Sequence, residues 1–228
     1  MIMTGTGEAL ALEARNLYRF YRAGEDETLA LRGVSLTVRP GTIVAVLGPS
    51  GSGKSTLLNC LAGLDEPDGG TVFVRGERLS HRPETERARI RAHRIGVLLQ
   101  TGNLLQHLDL RGNVRVAQLA CGTDASRRRV DDLLEQVSLA TRRHAYPTEL
   151  SGGELARAGL AVALANDPDV VLADEPTGEL DGDTEQQVLQ LLADHAERGA
   201  GLVVVTHSPE VARMADRILT LTDGQISP

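Results

Sequence analysis

The segment Gly48-Pro49-Ser50-Gly51-Ser52-Gly53-Lys54-Ser55-Thr56 constrains this chain more than any other. It follows the apolar run Thr42-Ile43-Val44-Ala45-Val46-Leu47, which reads as a buried strand. It leads into Leu57-Leu58-Asn59-Cys60-Leu61-Ala62, which has the composition of a helix. A glycine-rich turn between a strand and a helix is the setting a phosphate-binding loop requires. The glycines let several backbone amides converge on one phosphate group, and the helix start adds partial positive charge. In such a loop Lys54 reaches the outer phosphates of a nucleoside triphosphate, and the Ser55 hydroxyl ligates Mg²⁺.

At 228 residues the chain suits one large α/β domain with room for a small insertion. Aromatics make up only 2% of it while hydrophobic residues make up 41%, so the core must be aliphatic. A net charge of -7 argues against broad nucleic-acid binding. The two cysteines, Cys60 and Cys121, make neither a disulfide framework nor a metal site, and are expected as buried small hydrophobes in a reducing compartment. No apolar run approaches the roughly 18 residues of a membrane-spanning helix. The first residues lack the charged-then-apolar order of a signal peptide, so a soluble cytoplasmic protein is expected.

Short apolar runs at Val34–Val38, Ile43–Leu47, Thr71–Val74, Ile95–Leu99, Val170–Ala173, Leu202–Thr206 and Arg217–Leu221 read as strands. The later ones alternate with helical stretches, which indicates a parallel sheet with crossovers. Pro40-Gly41, Asp68-Gly69-Gly70 and Asp223-Gly224 read as turns, and the first two point to an antiparallel portion around the loop. Between Gln100 and Pro168 the strand signal disappears, and Val114–Ala120, Ser126–Val137 and Glu154–Ala165 read as helices. An all-helical stretch inside an alternating pattern is expected to be an inserted subdomain. Arg82, Arg87, Arg89, Arg91 and Arg94 interleave with Glu84 and Glu86, as in a solvated, salt-bridged helix or, alternatively, a phosphate or partner contact.

A second signal is Val170-Val171-Leu172-Ala173-Asp174-Glu175-Pro176, an apolar strand ending in two adjacent carboxylates. Where the chain turns at a strand's end, both can reach one site. Asp174 is suited to hold Mg²⁺ through water, and Glu175 to polarise an attacking water. A third is Leu150-Ser151-Gly152-Gly153-Glu154 ahead of a helical segment. Ser151 is a good N-cap, and the glycines allow close backbone approach. In order and spacing these three resemble the ATP-binding cassette (ABC) ATPases, with Ser151-Gly152-Gly153-Glu154 matching the signature motif. Gln100 then matches the Q-loop glutamine, Gly178-Glu179-Leu180-Asp181 the D-loop, His207 the switch histidine, and Tyr21 the aromatic that stacks on adenine.

The resemblance covers Tyr21 to His207. It implies an α/β P-loop NTPase with a RecA-like parallel sheet core, an antiparallel β portion and an inserted α-helical subdomain. Residues 1–100 and 166–228 would form the nucleotide-binding core and 101–165 the helical subdomain, together one ABC ATPase domain. It further implies ATP and Mg²⁺ as ligands. Gly48, Pro49, Ser50, Gly51, Ser52, Gly53, Lys54, Ser55 and Thr56 would hold phosphates, with Ser55, Gln100 and Asp174 around the metal. Glu175 is implied as general base, His207 as a γ-phosphate contact, and Lys54 and Gln100 as catalytic partners. Two such subunits are implied to sandwich ATP head to tail, the loop of one facing Ser151, Gly152, Gly153 and Glu154 of the other, with Asp181 coupling the two sites.

The chain departs from the pattern at Glu154, where the signature commonly has glutamine, and at Gly178-Glu179, where a small-residue pair is commoner. Tyr21-Arg22-Ala23-Gly24, Ala30-Leu31-Arg32-Gly33-Val34-Ser35-Leu36 and the run Leu172–Asp181 resemble the group containing macrolide exporters, lipoprotein-release ATPases and the cell-division ATPase. With one cassette and no membrane span, a separate integral-membrane permease is the implied partner. The implied location is the inner face of the cell membrane, where the chain would serve a bacterial exporter of lipophilic or peptidic cargo. The alternative is an ATP-driven switch acting through a membrane protein on a cell-wall enzyme or signalling partner. Gly102 to His107, with Leu104 and Leu105, reads either as a groove for a permease helix or as ordinary packing.

Overall fold

The computed structural model of the chain describes residues 9–23, 26–122, 130–178 and 180–227. Its centre is the apolar run seen in sequence: β3 (Ile43–Leu47) carries Val44, Ala45 and Val46 with no solvent exposure. Around it lie β6 (Ile95–Leu98), β7 (Val170–Asp174), β8 (Gly201–Val205), β9 (Arg217–Thr222) and β10 (Gln225–Ser227). They form one sheet in the order β10-β9-β3-β8-β7-β6, parallel except for the β9–β10 hairpin. Near-continuous Val, Leu and Ala runs are what a sheet covered on both faces demands.

The strand alternation sorts these residues between two apolar clusters. Ala45, Val171, Ala173, Leu202 and Val204 face one way, toward the helices α3 (Leu110–Ala120), α4 (Val130–Gln136), α5 (Gly152–Ala163) and α6 (Gly182–Glu197). Val44, Val46, Val170, Leu172, Val203 and Val205 face the other way, toward α1 (Lys54–Leu61) and a second sheet. That sheet is antiparallel, in the order β2-β1-β4-β5, from β1 (Leu12–Ala23), β2 (Asp26–Val38), β4 (Gly69–Val74) and β5 (Glu77–Arg78). The buried side chains of the helical stretch, Leu133, Leu134 and Leu139 among them, join the same cluster as the sheet residues Val171 and Leu202.

Most expected strands and helices are present, and the stretch between β6 and β7 carries helices and no strand among the described residues. The early part of the expected Ser126–Val137 helix lies outside the described residues. Glu154–Ala165 starts earlier, at Gly152, because Ser151 caps it. One reading is corrected. Gly69-Gly70 is not a turn but the start of β4, opposite a bulge in β1 between Arg15 and Tyr18. The same irregularity hid β1. Its buried residues are Leu12 and Ala14 before the bulge and Leu17 after it, so the alternation changes phase where Asn16 takes a positive φ of 50°.

The arginine-rich stretch forms α2 (Glu84–Arg94). Each of its arginines is ion-paired: Arg82 with Glu86, Arg87 with Glu66 and Glu84, Arg89 with Glu77, Arg91 with Glu84, and Arg94 with Asp169. The salt-bridged reading holds. Both cysteines are free and buried, and burial pushes the Cys60 thiol up to about 12.

Candidate active site

The parallel strands β3, β7 and β8 end on one edge of the sheet, where ligands bind in folds of this kind. The glycine-rich loop leaves β3 there. Gly53 begins α1 in the left-handed region (φ 101°), and a Cβ at that position would collide with the Ala30 carbonyl oxygen. Ala30 is the extra residue of a bulge in β2, between the pairs Arg19–Leu31 and Phe20–Leu29. Gly53 also brings no side-chain cap, so every first-turn amide of α1 is left for an anion, whereas a cap side chain takes one amide at the start of each of α3, α5 and α6. Lys54 is buried, with Nζ donating to the carbonyl oxygens of Gly48 (2.8 Å) and Pro49 (2.9 Å). From beneath, the Gly224 amide of the β9–β10 turn donates to the Ser52 carbonyl (3.0 Å).

A cavity of about 920 Å³ opens above this loop. Ser50, Gly51, Gly53, Lys54, Ser55 and Thr56 line one side, and Asp174, Glu175, Gln100 and His207 the other, with Tyr21 at the rim. Gly48, Pro49 and Ser52, expected to hold phosphates, do not line the cavity. Both carboxylates reach one cavity because the chain turns at Glu175, whose φ is 47° and whose amide donates to the Val205 carbonyl (2.8 Å). A non-glycine residue held there costs of order 1–3 kcal/mol, a strain that clusters at functional sites. Glu175 Oε2 accepts from the Thr206 hydroxyl (3.1 Å) and the His207 amide (3.2 Å), and His207 Nε2 lies 3.5 Å from Oε1.

Ser151, Gly152, Gly153 and Asp181 do not line this cavity. Ser151 caps α5: its Oγ accepts from the Glu154 amide (3.3 Å), and Glu154 Oε2 accepts from the Ser151 amide (2.9 Å). This is a capping box, which glutamate closes as well as glutamine does. The Ser151 amide, with Arg142 at 3.2 Å, holds the Glu154 carboxyl below its usual range. Asp181 caps α6, accepting from the Thr184 amide (3.0 Å) and hydroxyl (2.9 Å), which likewise lowers its pKa. Of the Gly102–His107 segment, Leu104 is buried in the core and Leu105 is exposed. Beside them a groove of about 250 Å³ runs past Leu98, Leu155, Pro176 and Leu180.

Sequence reasoning missed several participants. Glu185 on α6 accepts from the hydroxyls of Thr177 (3.0 Å) and Ser208 (2.9 Å), lacing α6 to the loop of His207. Thr206, Gly224 and the Ala30 bulge contact Glu175, Ser52 and Gly53 in turn, and nothing in their residue type marks them.

The family model for ABC transporters matches residues 31–178, well over half of the chain. The chain belongs to the ABC transporter family. It is 41% identical to an uncharacterized ABC transporter ATP-binding protein of Methanocaldococcus jannaschii, covering 94% of this chain and 97% of that one. It is 39% identical to the macrolide export ATP-binding/permease protein MacB of Escherichia coli K12, but there 94% of this chain spans only 34% of the relative's length. Among solved structures, the ATP-binding cassette MJ0796 as a dimer in a post-hydrolysis state with ADP and Pi superposes with TM-score 0.89 at 35% identity, covering 95% of this chain and 97% of that one. This ABC cassette is therefore an ATPase with the P-loop NTPase fold expected from its sequence.

Proposed function

We propose that this ABC ATPase binds ATP with Mg²⁺, dimerises head to tail on it, and drives a separate membrane permease that exports lipophilic or peptidic cargo. One observation carries the dimer: the signature residues stand outside the chain's own cavity, at the capped start of α5. A helix N-terminus is an anion site, so Ser151, Gly152 and Gly153 are placed to complete the γ-phosphate site of a second copy. Asp181, at the start of α6, serves as the coupling residue across that interface.

Within one subunit, the first amides of α1 and Lys54 hold the phosphates. Ser55, Gln100 and Asp174 line the same cavity and suit a hard cation that takes few protein oxygens. Among the described residues no cluster of His, Cys, Asp and Glu makes a cage of its own, which fits a metal bound largely by phosphate and water. When bound, Mg²⁺ supplies charge neutralisation at the phosphates. Glu175, oriented by Thr206 and the His207 amide, takes the proton of the attacking water, and His207 contacts the γ-phosphate. Residues 101–165 act as the helical subdomain that carries the signature, with Leu104, Leu105 and the adjoining groove as the permease-facing side. The exporter reading rests on the macrolide-export relatives, of which this chain spans about a third. The permease partner would hold the chain at the inner membrane face; no helix among the described residues is itself long and apolar enough to cross a membrane.

The test uses light scattering with ATP. Glu175→Gln is expected to form an ATP-dependent dimer with turnover reduced by orders of magnitude. Adding Ser151→Asp keeps a good N-cap but sets a carboxylate against the incoming phosphate. It is expected to abolish the dimer while each monomer still binds nucleotide. A dimer that survives Ser151→Asp would sink the head-to-tail arrangement.

A further inference from the structure

We propose that Asp65 and Arg19 are positioning residues for the nucleobase, clamping Tyr21 so that one ring face is covered by a guanidinium and the other is offered to a purine. The proposal rests on the reading of Tyr21 as the base-stacking residue. Tyr21 is 40% exposed at the rim of the cavity, where a tyrosine would ordinarily rotate freely. Here its hydroxyl donates to Asp65 Oδ2 at 2.6 Å. The same carboxylate takes Arg19 in two places, Nε to Oδ2 at 2.9 Å and Nη2 to Oδ1 at 2.8 Å. The Arg19 guanidinium carbon then lies 4.8 Å from the centroid of the Tyr21 ring, within cation–π range. One carboxylate thus fixes both the tip of the phenol and the cation that covers its face.

The clamp extends into the backbone. Asp68 Oδ2 accepts from Arg19 Nη1 (3.0 Å) and from the Phe20 amide (2.8 Å), and the Asp68 amide donates to the Tyr18 carbonyl (2.9 Å). Asp65 to Asp68 follow α1, whose first turn presents the amides of the phosphate loop. The element that holds phosphate therefore also carries the residues that fix the base-facing ring. Neither Asp65 nor Arg19 lines the cavity, so each acts through Tyr21 and not on the nucleotide. Burial works against ionisation of Asp65, but the hydrogen bonds from Tyr21 and Arg19 prevail and hold its carboxyl below the usual range, so the clamp stays closed at neutral pH. A ring already immobilised loses less freedom when a base stacks on it, which favours affinity without touching the chemical step.

The experiment measures affinity for ATP and for inorganic tripolyphosphate, which has the phosphates and no base, on the full chain by calorimetry. Asp65→Ala is expected to weaken ATP binding about threefold to tenfold, the range that one lost net hydrogen bond gives, and to leave tripolyphosphate unchanged. KM for ATP rises and kcat at saturation stays. Tyr21→Phe keeps the ring and the Asp65–Arg19 pair but removes the hydroxyl. It is expected to show the same selective loss, and the double variant is expected to be no worse than either alone. Equal losses for ATP and tripolyphosphate in Asp65→Ala would make its role merely structural and overturn the clamp. Unchanged ATP affinity in Asp65→Ala and Tyr21→Phe, with a clear loss in Tyr21→Ala, would overturn the clamp and leave base stacking standing. If Tyr21→Ala does not alter the preference for ATP over tripolyphosphate, the stacking reading falls and the clamp with it.

Discussion

Gly53 shows how a single residue ties local conformation to chemistry. It holds a left-handed φ of 101°, abuts the Ala30 carbonyl, and starts a helix without a side-chain cap. Each of these shapes the loop: the first turns it, the second packs it against β2, and the third leaves amides free of a side-chain cap, as the proposed phosphate site requires. Gly53→Ala should therefore act twice. It should destabilise the fold by about 1–3 kcal/mol, the cost of a side chain in a forbidden backbone region, which urea titration would read. It should also lose nucleotide affinity by more than the stability change explains, because the loop must shift to relieve the Ala30 contact. Stability within about 0.5 kcal/mol of wild type, where surface changes fall, would show that the loop is slack and the close packing unimportant.

At the scale of elements, α5 gives the chain's departure from the family's pattern at Glu154 a structural role. Glu154 closes a capping box on Ser151 and meets Arg142, so its charge is spent on its own helix start. Glu154→Gln keeps an acceptor for the Ser151 amide and should change stability by less than about 1 kcal/mol, the usual worth of an exposed ion pair. Glu154→Ala opens the box and should cost about 0.5–2 kcal/mol. Thermal unfolding of the pair separates the two; equal losses would mean the ion pair and not the box holds the helix start. Elements also set what was legible beforehand. β3, β7 and β8 were plain in sequence because strands buried on both faces must be apolar throughout, and Glu175 was legible because it ends such a run. β1 was not, since its bulge at Asn16 moves the buried set from even to odd positions. Thr206 and Glu185 were invisible for a different reason: their value lies in partners far along the chain, and a threonine or glutamate at a helix start or strand end has many commoner uses.

Across the whole molecule, two sheets meet through one apolar cluster that joins Leu12, Val72 and Val74 to Val170 and Val203. At the edge of that junction Asp169, just ahead of β7, binds Arg75 of the β4–β5 turn (2.8 Å) and Arg94 at the end of α2 (2.9 Å), while Glu77 takes Arg89 (3.0 Å). The network is the polar seam of the interface, yet its side chains remain 27% to 59% exposed. Water therefore screens them, and the apolar cluster must carry most of the docking. A double-mutant cycle on Asp169→Ala and Arg75→Ala should give a coupling of about 0.2–1 kcal/mol in low salt. In 1 M NaCl, where the screening length falls to about 3 Å, the coupling should shrink further. A coupling of about 3 kcal/mol or more that salt leaves untouched would instead be the behaviour of a buried pair. The ionic seam, and not the aliphatic cluster, would then be what fixes the antiparallel sheet, with its Tyr21 and Ala30, over the phosphate loop.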